Sequence, residues 1–330
     1  MDGTPAFFPA MLAAYGLAQD THAQQISERV WRVFGKNGDF AAKIYAAHHA
    51  ARARKEAAIL AYLQQNHARY RVQRLQPTLA GTTLWCGPNA HVLLTHWAAG
   101  SVKTYNTFTA KEWSALGGSL AALHQQLETL KLPEVECLYA RLAAIKLDEV
   151  RSSLNTLARH ATQKHAPSGL SAYVNACLGM LDTHYPRVLS GFSEHAPQAL
   201  IHNDYNQFNY LFDGQLPPVI LDWEAAIQAP HEYELVRCLN HLPLEAPLMA
   251  RQFVQAYAQV RPVHANRLPW AVDAACLQHA LKQWVWEGWV REPQRFAAHL
   301  QGSIKMVSMM AGARESLIEF FTQCLARSGS

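Results

Sequence analysis

The sequence is poor in charged residues and has no long apolar run. Only 16% of its 330 residues are charged, whereas 50% are hydrophobic, which excludes a mainly disordered chain. The net charge of +4 is too small to indicate a nucleic-acid partner. No run approaches the roughly 18 apolar residues of a membrane-spanning helix. We therefore expect a globular protein of about two domains, with neither a nucleic-acid nor a membrane partner.

Cysteine is scarce, and its spacing excludes a local zinc site. The six cysteines lie far apart, and the closest pair, Cys238 and Cys276, is 38 residues apart. Scattered cysteines in a chain of this size are typical of free thiols in a reducing compartment. No Lys or Arg precedes the first apolar stretch, as a secretory signal would require. These absences predict a cytoplasmic protein.

Three common catalytic signatures are also absent. There is no His-Glu-x-x-His pair, although the sequence has 17 His, and no Gly-x-Ser-x-Gly nucleophile elbow. Gly35-Lys36 lacks the remainder of a Gly-x-x-x-x-Gly-Lys-Ser/Thr phosphate loop. Zincin metalloproteases, α/β-hydrolases and P-loop enzymes are therefore disfavoured.

The N-terminal third carries most of the strand signal. An Asn37-Gly38 dipeptide, whose residues both tolerate positive φ, separates two short apolar runs and predicts a hairpin. An Ala-, Arg- and Leu-rich segment after it predicts a helix. The expected elements are strands at Arg29–Phe34, Phe40–Tyr45, Arg71–Leu75 and His91–Trp97, and a helix at Ala50–Gln65.

The rest of the chain is mainly helical. Thr109 and Glu112 form a capping-box pattern before a leucine-rich face of helical spacing. Further helices are expected near 138–160, 170–187, 247–260, 269–290 and 300–325, and one β segment at Ala199–Trp223. The pattern predicts an α+β fold in two lobes. Residues 1–97 would form a small antiparallel β-rich N-lobe, and residues 98–330 a large helical C-lobe.

The most informative segment combines three oxygen-bearing side chains. Asp204 follows His202 by two residues, Asn209 follows five residues later, and Asp222 ends an apolar run. Phosphoryl transfer needs one carboxylate to orient the attacking hydroxyl and oxygen ligands for Mg²⁺. A loop Asp with an Asn at +5 and an Asp at the end of a nearby strand can supply all three.

Three blocks of this region resemble the aminoglycoside phosphotransferase / choline kinase-like family. They are His202-Asn203-Asp204-Tyr205-Asn206-Gln207-Phe208-Asn209, Leu221-Asp222-Trp223-Glu224 and Pro230-His231-Glu232-Tyr233-Glu234-Leu235. The resemblance implies a protein-kinase-like fold and an ATP-dependent kinase. It also implies that Asp204 is the catalytic base, that His202 braces its loop, and that Asn209 and Asp222 bind Mg²⁺. Glu224 is a further candidate near the metal or the substrate.

The N-terminal region agrees with this resemblance. Lys43 ends a predicted strand and Glu56 lies 13 residues later in a predicted helix, as in the kinase pair that positions nucleotide phosphates. The alternative is an ordinary strand Lys and a solvated helix Glu. The segment containing Thr95 and Trp97 would offer backbone groups to adenine.

Two departures keep other interpretations open. Asn203 stands where the family usually has Gly, although Asn accepts a left-handed backbone. The expected phosphate-covering turn, residues 27–30, contains no glycine. The alternative function is therefore a catalytically inactive nucleotide-binding pseudokinase or regulatory module. His202, Asp204 and Asp222 could also form a structural polar cluster. A metal-dependent hydrolase with His202 and Asp204 as ligands is a weaker alternative, because it would need further ligands at short spacing.

The substrate is expected to be a small metabolite with a hydroxyl group. Trp284, Trp286 and Glu287 could line its site through cation–π and charge contacts, although an aromatic-rich helix also fits core packing. From residue 226 onward there are 8 Asp and Glu against 10 Lys and Arg, which disfavours a polycationic aminoglycoside. Homoserine, choline, ethanolamine, thiamine or a sugar is preferred, and the homoserine kinase-like branch is a plausible neighbour.

Overall fold

The computed structural model describes residues 4–18, 21–64, 69–160, 166–191 and 198–326. The strands are β1 Ala23–Gln25, β2 Val30–Gly35, β3 Gly38–Ala46, β4 Arg71–Val72, β5 Trp85–Cys86, β6 Ala90–His96, β7 Ala199–Ile201, β8 Tyr210–Leu211, β9 Val219–Ile220 and β10 Ile227–Ala229. The helices are α1 Phe8–Ala14, α2 Ala50–Leu63, α3 Ala110–Leu127, α4 Leu138–Ala143, α5 Leu147–His160, α6 Leu170–Ser190, α7 His231–Leu239, α8 Leu242–Glu245, α9 Pro247–Val260, α10 Leu268–Ala280, α11 Gln283–Arg291, α12 Pro293–Met310 and α13 Arg314–Ala326.

The N-terminal strands form a five-stranded antiparallel sheet in the order β1-β2-β3-β6-β5. Most of the remaining residues are helical, so the predicted α+β class is confirmed. The expected Ala50–Gln65 helix corresponds to α2, and its predicted last residue, Gln65, lies outside the described residues.

The β2–β3 hairpin forms where it was expected, but its turn differs in detail. Gly35 pairs with Gly38, so the two turn residues are Lys36 and Asn37. Gly38 has a φ of 121°, whereas Asn37 does not have a positive φ. Both residues tolerate positive φ, but only Gly38 adopts it here. The glycine alone takes the conformation that a side chain would oppose.

Strand β3 divides the sheet into two faces with different chemistry. Phe40 and Ala42 are buried in a core cluster with α1, and Ile44 packs against it. Side chains alternate along a strand, so Lys43 and Tyr45 project from the opposite face. The sheet therefore presents one apolar face and one face that carries the Lys43 ammonium group.

A second, three-stranded sheet has the order β4-β9-β8. Strand β4 is parallel to β9, and β8 and β9 form an antiparallel hairpin. The predicted strand at Arg71–Leu75 is therefore only two residues long, and Leu75 makes an isolated bridge to Thr95 instead. This small sheet brings the ends of β8 and β9 together.

The chain divides into two compact units, which are described separately. Unit 1 comprises residues 1–135 and 200–227, and unit 2 comprises residues 136–199 and 228–330. This division follows packing, and the predicted lobe boundary after Trp97 stays a prediction. Three expected helices are each split into a pair: α4 and α5 near 138–160, α10 and α11 near 269–290, and α12 and α13 near 300–325. Within the described ranges, no helix combines the length and apolar character needed to cross a bilayer.

Candidate active site

Lys43 lies at the centre of a cluster of carboxylates in unit 1. Its Nζ is 2.8 Å from Glu56 Oε2, 2.7 Å from Asp222 Oδ1 and 3.3 Å from Glu224 Oε2. Burial lowers the Lys43 pKa, but the three negative charges outweigh burial and raise it to about 12. Lys43 is therefore a fixed positive charge that joins β3, α2 and the turn after β9.

Glu56 is fully buried, and donors occupy both of its carboxylate oxygens. Oε2 accepts hydrogen bonds from Lys43 Nζ and from the Tyr45 hydroxyl, and Oε1 accepts one from the backbone N–H of Trp223 at 3.2 Å. Burial, followed by the charge of Glu56, raises the pKa of Tyr45, so Tyr45 stays a donor. Glu56 therefore positions Lys43 and the chain just after Asp222, and both of its oxygens already accept hydrogen bonds.

Glu224 is held by two cations. The Arg29 guanidinium donates to both of its oxygens, at 3.0 Å and 2.9 Å, and Lys43 contacts Oε2. Burial raises the pKa of Glu224, but the Arg29 hydrogen bonds and the Lys43 charge lower it to about 2. Glu224 is therefore a carboxylate at neutral pH.

His202 braces the loop that carries Asp204. Its Nδ1 accepts a hydrogen bond from the Asp204 backbone N–H at 3.2 Å, and its Nε2 lies 2.9 Å from the Leu221 carbonyl oxygen. The carbonyl can only accept, so Nε2 carries the hydrogen. The imidazole therefore links the Asp204 loop to the end of β9. Its ring also lies 4.5 Å from the Trp223 ring, between centroids.

The Asp204 carboxylate is oriented by two asparagines of its own loop. Asn206 Nδ2 donates to Oδ1 at 2.8 Å, and Asn209 Nδ2 donates to Oδ2 at 2.9 Å. Asn209 Nδ2 also donates to the Asp204 carbonyl oxygen at 2.9 Å. The two amides fix the carboxylate without neutralising its charge.

The β8–β9 hairpin brings Asn209 beside the residue that precedes Asp222. Tyr210 pairs with Ile220, and the Leu221 N–H donates to the Asn209 carbonyl oxygen at 2.9 Å. Asp222 has a φ of 61°, a left-handed conformation that is uncommon for a residue with a side chain and is concentrated at functional sites. Among the described residues, none donates to Asn209 Oδ1 or Asp222 Oδ2.

The model of the phosphotransferase enzyme family matches residues 20–270, which include every residue of this cluster. The chain belongs to this family. The prediction that it is a phosphotransferase-family protein is therefore confirmed.

Similar proteins agree with this assignment. A homoserine kinase from Beijerinckia indica subsp. indica is 28% identical over 193 residues, which are 56% of this chain and 54% of that protein. The aligned part of the chain thus spans about half the length of this curated relative.

Two crystal structures share the fold. An aminoglycoside phosphotransferase from Alicyclobacillus acidocaldarius has a TM-score of 0.68 at 14% identity, with 99% of this chain and 98% of that chain covered. A spectinomycin phosphotransferase in complex with ADP and spectinomycin has a TM-score of 0.67 at 15% identity, with 96% and 97% covered. The predicted protein-kinase-like fold of the family is confirmed.

Two oxygens of this phosphotransferase-family protein suit a divalent cation. Glu56, Asp222 and Glu224 have carboxylate oxygens within 4.8 Å of one another, but donors already occupy both oxygens of Glu56 and of Glu224. Asp222 Oδ2 and Asn209 Oδ1 remain available, and both are hard oxygen ligands of the kind that Mg²⁺ prefers. The donor chemistry fits the predicted pair, Asn209 and Asp222.

In the segment expected to bind adenine, which contains Thr95 and Trp97, two backbone N–H groups already donate hydrogen bonds within the fold. The N–H of His96 donates to the Arg74 carbonyl oxygen, and that of Trp97 donates to the Asp39 carbonyl oxygen, both at 2.8 Å. Thr95 is buried, and the Trp97 ring is covered by the Arg32 guanidinium at 4.7 Å. Any N–H offered to adenine from this connection must therefore come from a residue after Trp97.

The predicted substrate residues Trp284, Trp286 and Glu287 lie on α11, in unit 2. Trp284 is 57% exposed, whereas Trp286 is fully buried and donates from Nε1 to the Ser153 hydroxyl at 2.8 Å. Glu287 Oε1 accepts a hydrogen bond from the same hydroxyl at 3.1 Å. Trp286 thus has the packing of a core residue, and the substrate role of the three stays a prediction.

Sequence reasoning missed Arg29 and Tyr45 as parts of the cluster. Tyr45 lies two residues after Lys43 on β3, so strand alternation alone places both on one face. Arg29 lies 195 residues from Glu224 along the chain, and no local pattern signals that contact.

Proposed function

We propose that this protein is an ATP-dependent kinase that phosphorylates a hydroxyl group of a small metabolite. The supporting observation is the contact of Lys43 with both Glu56 and Asp222, at 2.8 Å and 2.7 Å. A lysine that is paired with a helix glutamate and with the aspartate at the end of a strand is the kinase arrangement for holding nucleotide phosphates.

Asp204 would orient the acceptor hydroxyl and accept its proton. Its two oxygens accept amide hydrogen bonds from Asn206 and Asn209, which hold the carboxylate in one orientation. Positioning of this kind accounts for most of what a protein contributes to phosphoryl transfer.

Asn209 and Asp222 would hold Mg²⁺ through the two oxygens that have no donor among the described residues. When bound, the ion neutralises charge on the transferring phosphoryl group. Lys43 would contact the phosphates as a positive charge, and Glu56 would keep Lys43 in place. The backbone after Trp97 would offer an N–H to adenine.

The proposed substrate class is a small amino alcohol such as homoserine. The curated relative is a homoserine kinase, and the near-equal numbers of acidic and basic residues after residue 226 do not favour a polycation. Choline, ethanolamine, thiamine and sugars are the competing substrates.

The test is ADP production with Mg²⁺ and ATP against homoserine, choline, ethanolamine, thiamine, sugars and aminoglycosides. We expect turnover of a small amino alcohol. Asp204→Asn should lower kcat by at least about 100-fold, since a positioned proton acceptor contributes about that much. Affinity for ATP should change little. Asp148→Asn, at a fully exposed carboxylate on α5, is the matched control and should leave kcat unchanged.

A different result would favour a binding module. Mg·ATP binding without transfer to any acceptor of the panel would contradict the kinase proposal and support the pseudokinase alternative. Near-normal kcat in Asp204→Asn would show that the proton acceptor is another group.

A further inference from the structure

In the turn between β1 and β2, two backbone N–H groups are engaged within the turn and do not face phosphates as those of a glycine-rich loop do. Such loops surround phosphate oxygens with free backbone N–H groups. Here the N–H groups of Ile26 and Ser27 both donate to the Val30 carbonyl oxygen, at 2.8 Å and 3.1 Å. The turn is closed on itself by these bonds. A side chain of the turn is therefore needed to replace the phosphate contacts that these two N–H groups do not make.

Arg29 is the basic side chain of this turn, and it lies in the Lys43 cluster. Its two terminal nitrogens donate to the two oxygens of Glu224, and Lys43 contacts the same carboxylate. Arg29 and Lys43 are therefore two cations held beside each other by one anion. The Arg29 side chain is 42% exposed, whereas that of Glu224 is 16% exposed, so the guanidinium is the partner with room to move.

The charges of the cluster favour an exchange of partners. Glu56, Asp222 and Glu224 carry three negative charges against the two positive charges of Lys43 and Arg29. A guanidinium binds a phosphate with the same two-pronged geometry with which it binds a carboxylate. A triphosphate also carries more charge than Glu224. The Arg29 carbonyl oxygen is anchored by the Ile44 N–H at 2.8 Å, so its side chain can turn without disturbing the sheet.

We propose that Arg29 is the phosphate-contacting residue of the β1–β2 turn and that it leaves Glu224 for phosphate oxygens when a nucleotide binds. This inference rests on the proposed kinase function. In this protein, one mobile side chain takes over a task for which glycine-rich loops use their backbone.

The first experiment is calorimetric titration of the full chain with AMP-PNP plus Mg²⁺ and with adenosine. Arg29→Ala should weaken AMP-PNP binding by about 10- to 100-fold, the value of hydrogen bonds to a charged group, and leave adenosine affinity within about twofold. Arg71→Ala is the matched control. It removes another two-pronged Arg–carboxylate pair of unit 1, with Asp213, and should leave both affinities unchanged.

Equal weakening of AMP-PNP and adenosine by Arg29→Ala would show a merely structural role and overturn the inference. Unchanged affinity for both ligands would overturn it as well. If the unmodified protein binds AMP-PNP and Arg29→Ala binds it equally well, only this inference fails. If the unmodified protein binds no AMP-PNP, the proposed function fails and this inference with it.

A second measurement tests the exchange itself, with AMP-PNP in EDTA so that metal binding does not contribute. Glu224→Gln should tighten binding because it removes a negative charge and releases Arg29. The tightening should be several-fold larger with Arg29 present than in an Arg29→Ala background. Equal tightening in both backgrounds would mean that Arg29 does not change partner.

Discussion

Tyr105 and Gln207 exchange two hydrogen bonds across 102 residues of chain. The Tyr105 N–H donates to Gln207 Oε1 at 2.7 Å, and the Gln207 N–H donates to the Tyr105 hydroxyl at 3.2 Å. The Tyr105 ring is stacked on Trp113, with 5.4 Å between centroids. Gln207 lies between Asp204 and Asn209, so this pairing connects the position of their loop to the start of α3.

Tyr105→Phe should therefore slow catalysis more than it weakens nucleotide binding. The substitution removes the acceptor for the Gln207 N–H but keeps the ring stacked on Trp113. We expect a three- to tenfold fall in kcat, which corresponds to about 0.5–1.5 kcal/mol for one lost hydrogen bond, and an unchanged KM for ATP. Steady-state kinetics with the substrate found in the panel assay would measure both.

Tyr62→Phe is the control for the loss of a tyrosine hydroxyl. That hydroxyl donates to the Gln126 carbonyl oxygen at 3.1 Å in the same unit but does not touch the Asp204 loop. Tyr62→Phe should lower the stability of the protein slightly and leave kcat unchanged. If Tyr105→Phe behaves in the same way, Tyr105 does not position the loop.

Lys43→Met should destabilise the fold at neutral pH, apart from any effect on catalysis. The substitution removes the cation shared by Glu56, Asp222 and Glu224, and Glu56 is only 1% exposed. Leaving a buried charge without its partner costs about 3–5 kcal/mol. We expect a loss near the lower end of that range, because Glu56 keeps its donors Tyr45 and Trp223. Urea denaturation at pH 7 would measure it.

The double variant Lys43→Met, Glu56→Gln separates lost charge pairing from lost packing. Once the Glu56 charge is gone, removing Lys43 should cost less. The loss of stability in the double variant should therefore be smaller than the sum of the losses in the two single variants, by at least about 1 kcal/mol. Strict additivity of the two effects would contradict the view that the Lys43–Glu56 pair governs this cluster.

Local pattern was enough to predict much of the fold. The spacing of Thr109 and Glu112 predicted the start of α3, where the Thr109 N–H donates to Glu112 Oε2 at 2.8 Å and the Thr109 hydroxyl accepts from the Glu112 N–H. These interactions span one turn of a helix, so the sequence within that turn contains all the information that they need.

Long-range pairing was the part that local pattern could not supply. Strand β4 was expected to be longer, and its pairing with β9 depends on residues almost 150 positions away. The contact of Arg29 with Glu224 is of the same kind. By contrast, Lys43, Glu56 and Asp222 were predicted as site residues because the resemblance to a family carries long-range information that periodicity lacks.

Replacing Asn203 by glycine should leave the protein more stable than replacing it by alanine. Its φ is 62°, and its Nδ2 donates to the Ala225 carbonyl oxygen at 3.0 Å. Both substitutions lose that bond, but only alanine brings a Cβ into the left-handed region, which costs about 1–2 kcal/mol. Chemical denaturation should therefore rank Asn203→Gly as more stable than Asn203→Ala.

The same pair of substitutions at Arg54, an exposed position inside α2, should give the opposite order. In a helix interior, glycine is less stable than alanine by about 1 kcal/mol. If alanine were the more stable replacement at both positions, the left-handed backbone at position 203 would not be disfavouring a Cβ, and the prediction would be wrong.

The Arg71–Asp213 pair should make the stability of the protein depend on pH in acid. Two Arg71 hydrogen bonds, of 2.8 Å and 2.6 Å, lower the pKa of Asp213 from 3.8 to about 2. A carboxyl whose pKa is lowered by folding contributes stability above its unfolded pKa and loses it as pH falls towards its folded pKa. Between pH 6 and pH 3 this contribution should fall by at most about 1 kcal/mol.

Urea denaturation of the unmodified protein and of Asp213→Asn at pH 6 and pH 3 would measure this contribution. Other carboxylates titrate in the same range but are common to both proteins, so the difference between the two isolates Asp213. The unmodified protein should be the more stable at pH 6, and its advantage should shrink at pH 3. Arg71→Ala removes the other partner of the same pair. Its loss of stability relative to the unmodified protein should therefore also be smaller at pH 3 than at pH 6. A constant difference between Asp213→Asn and the unmodified protein over this range would mean that Arg71 does not hold Asp213 in its ionised form.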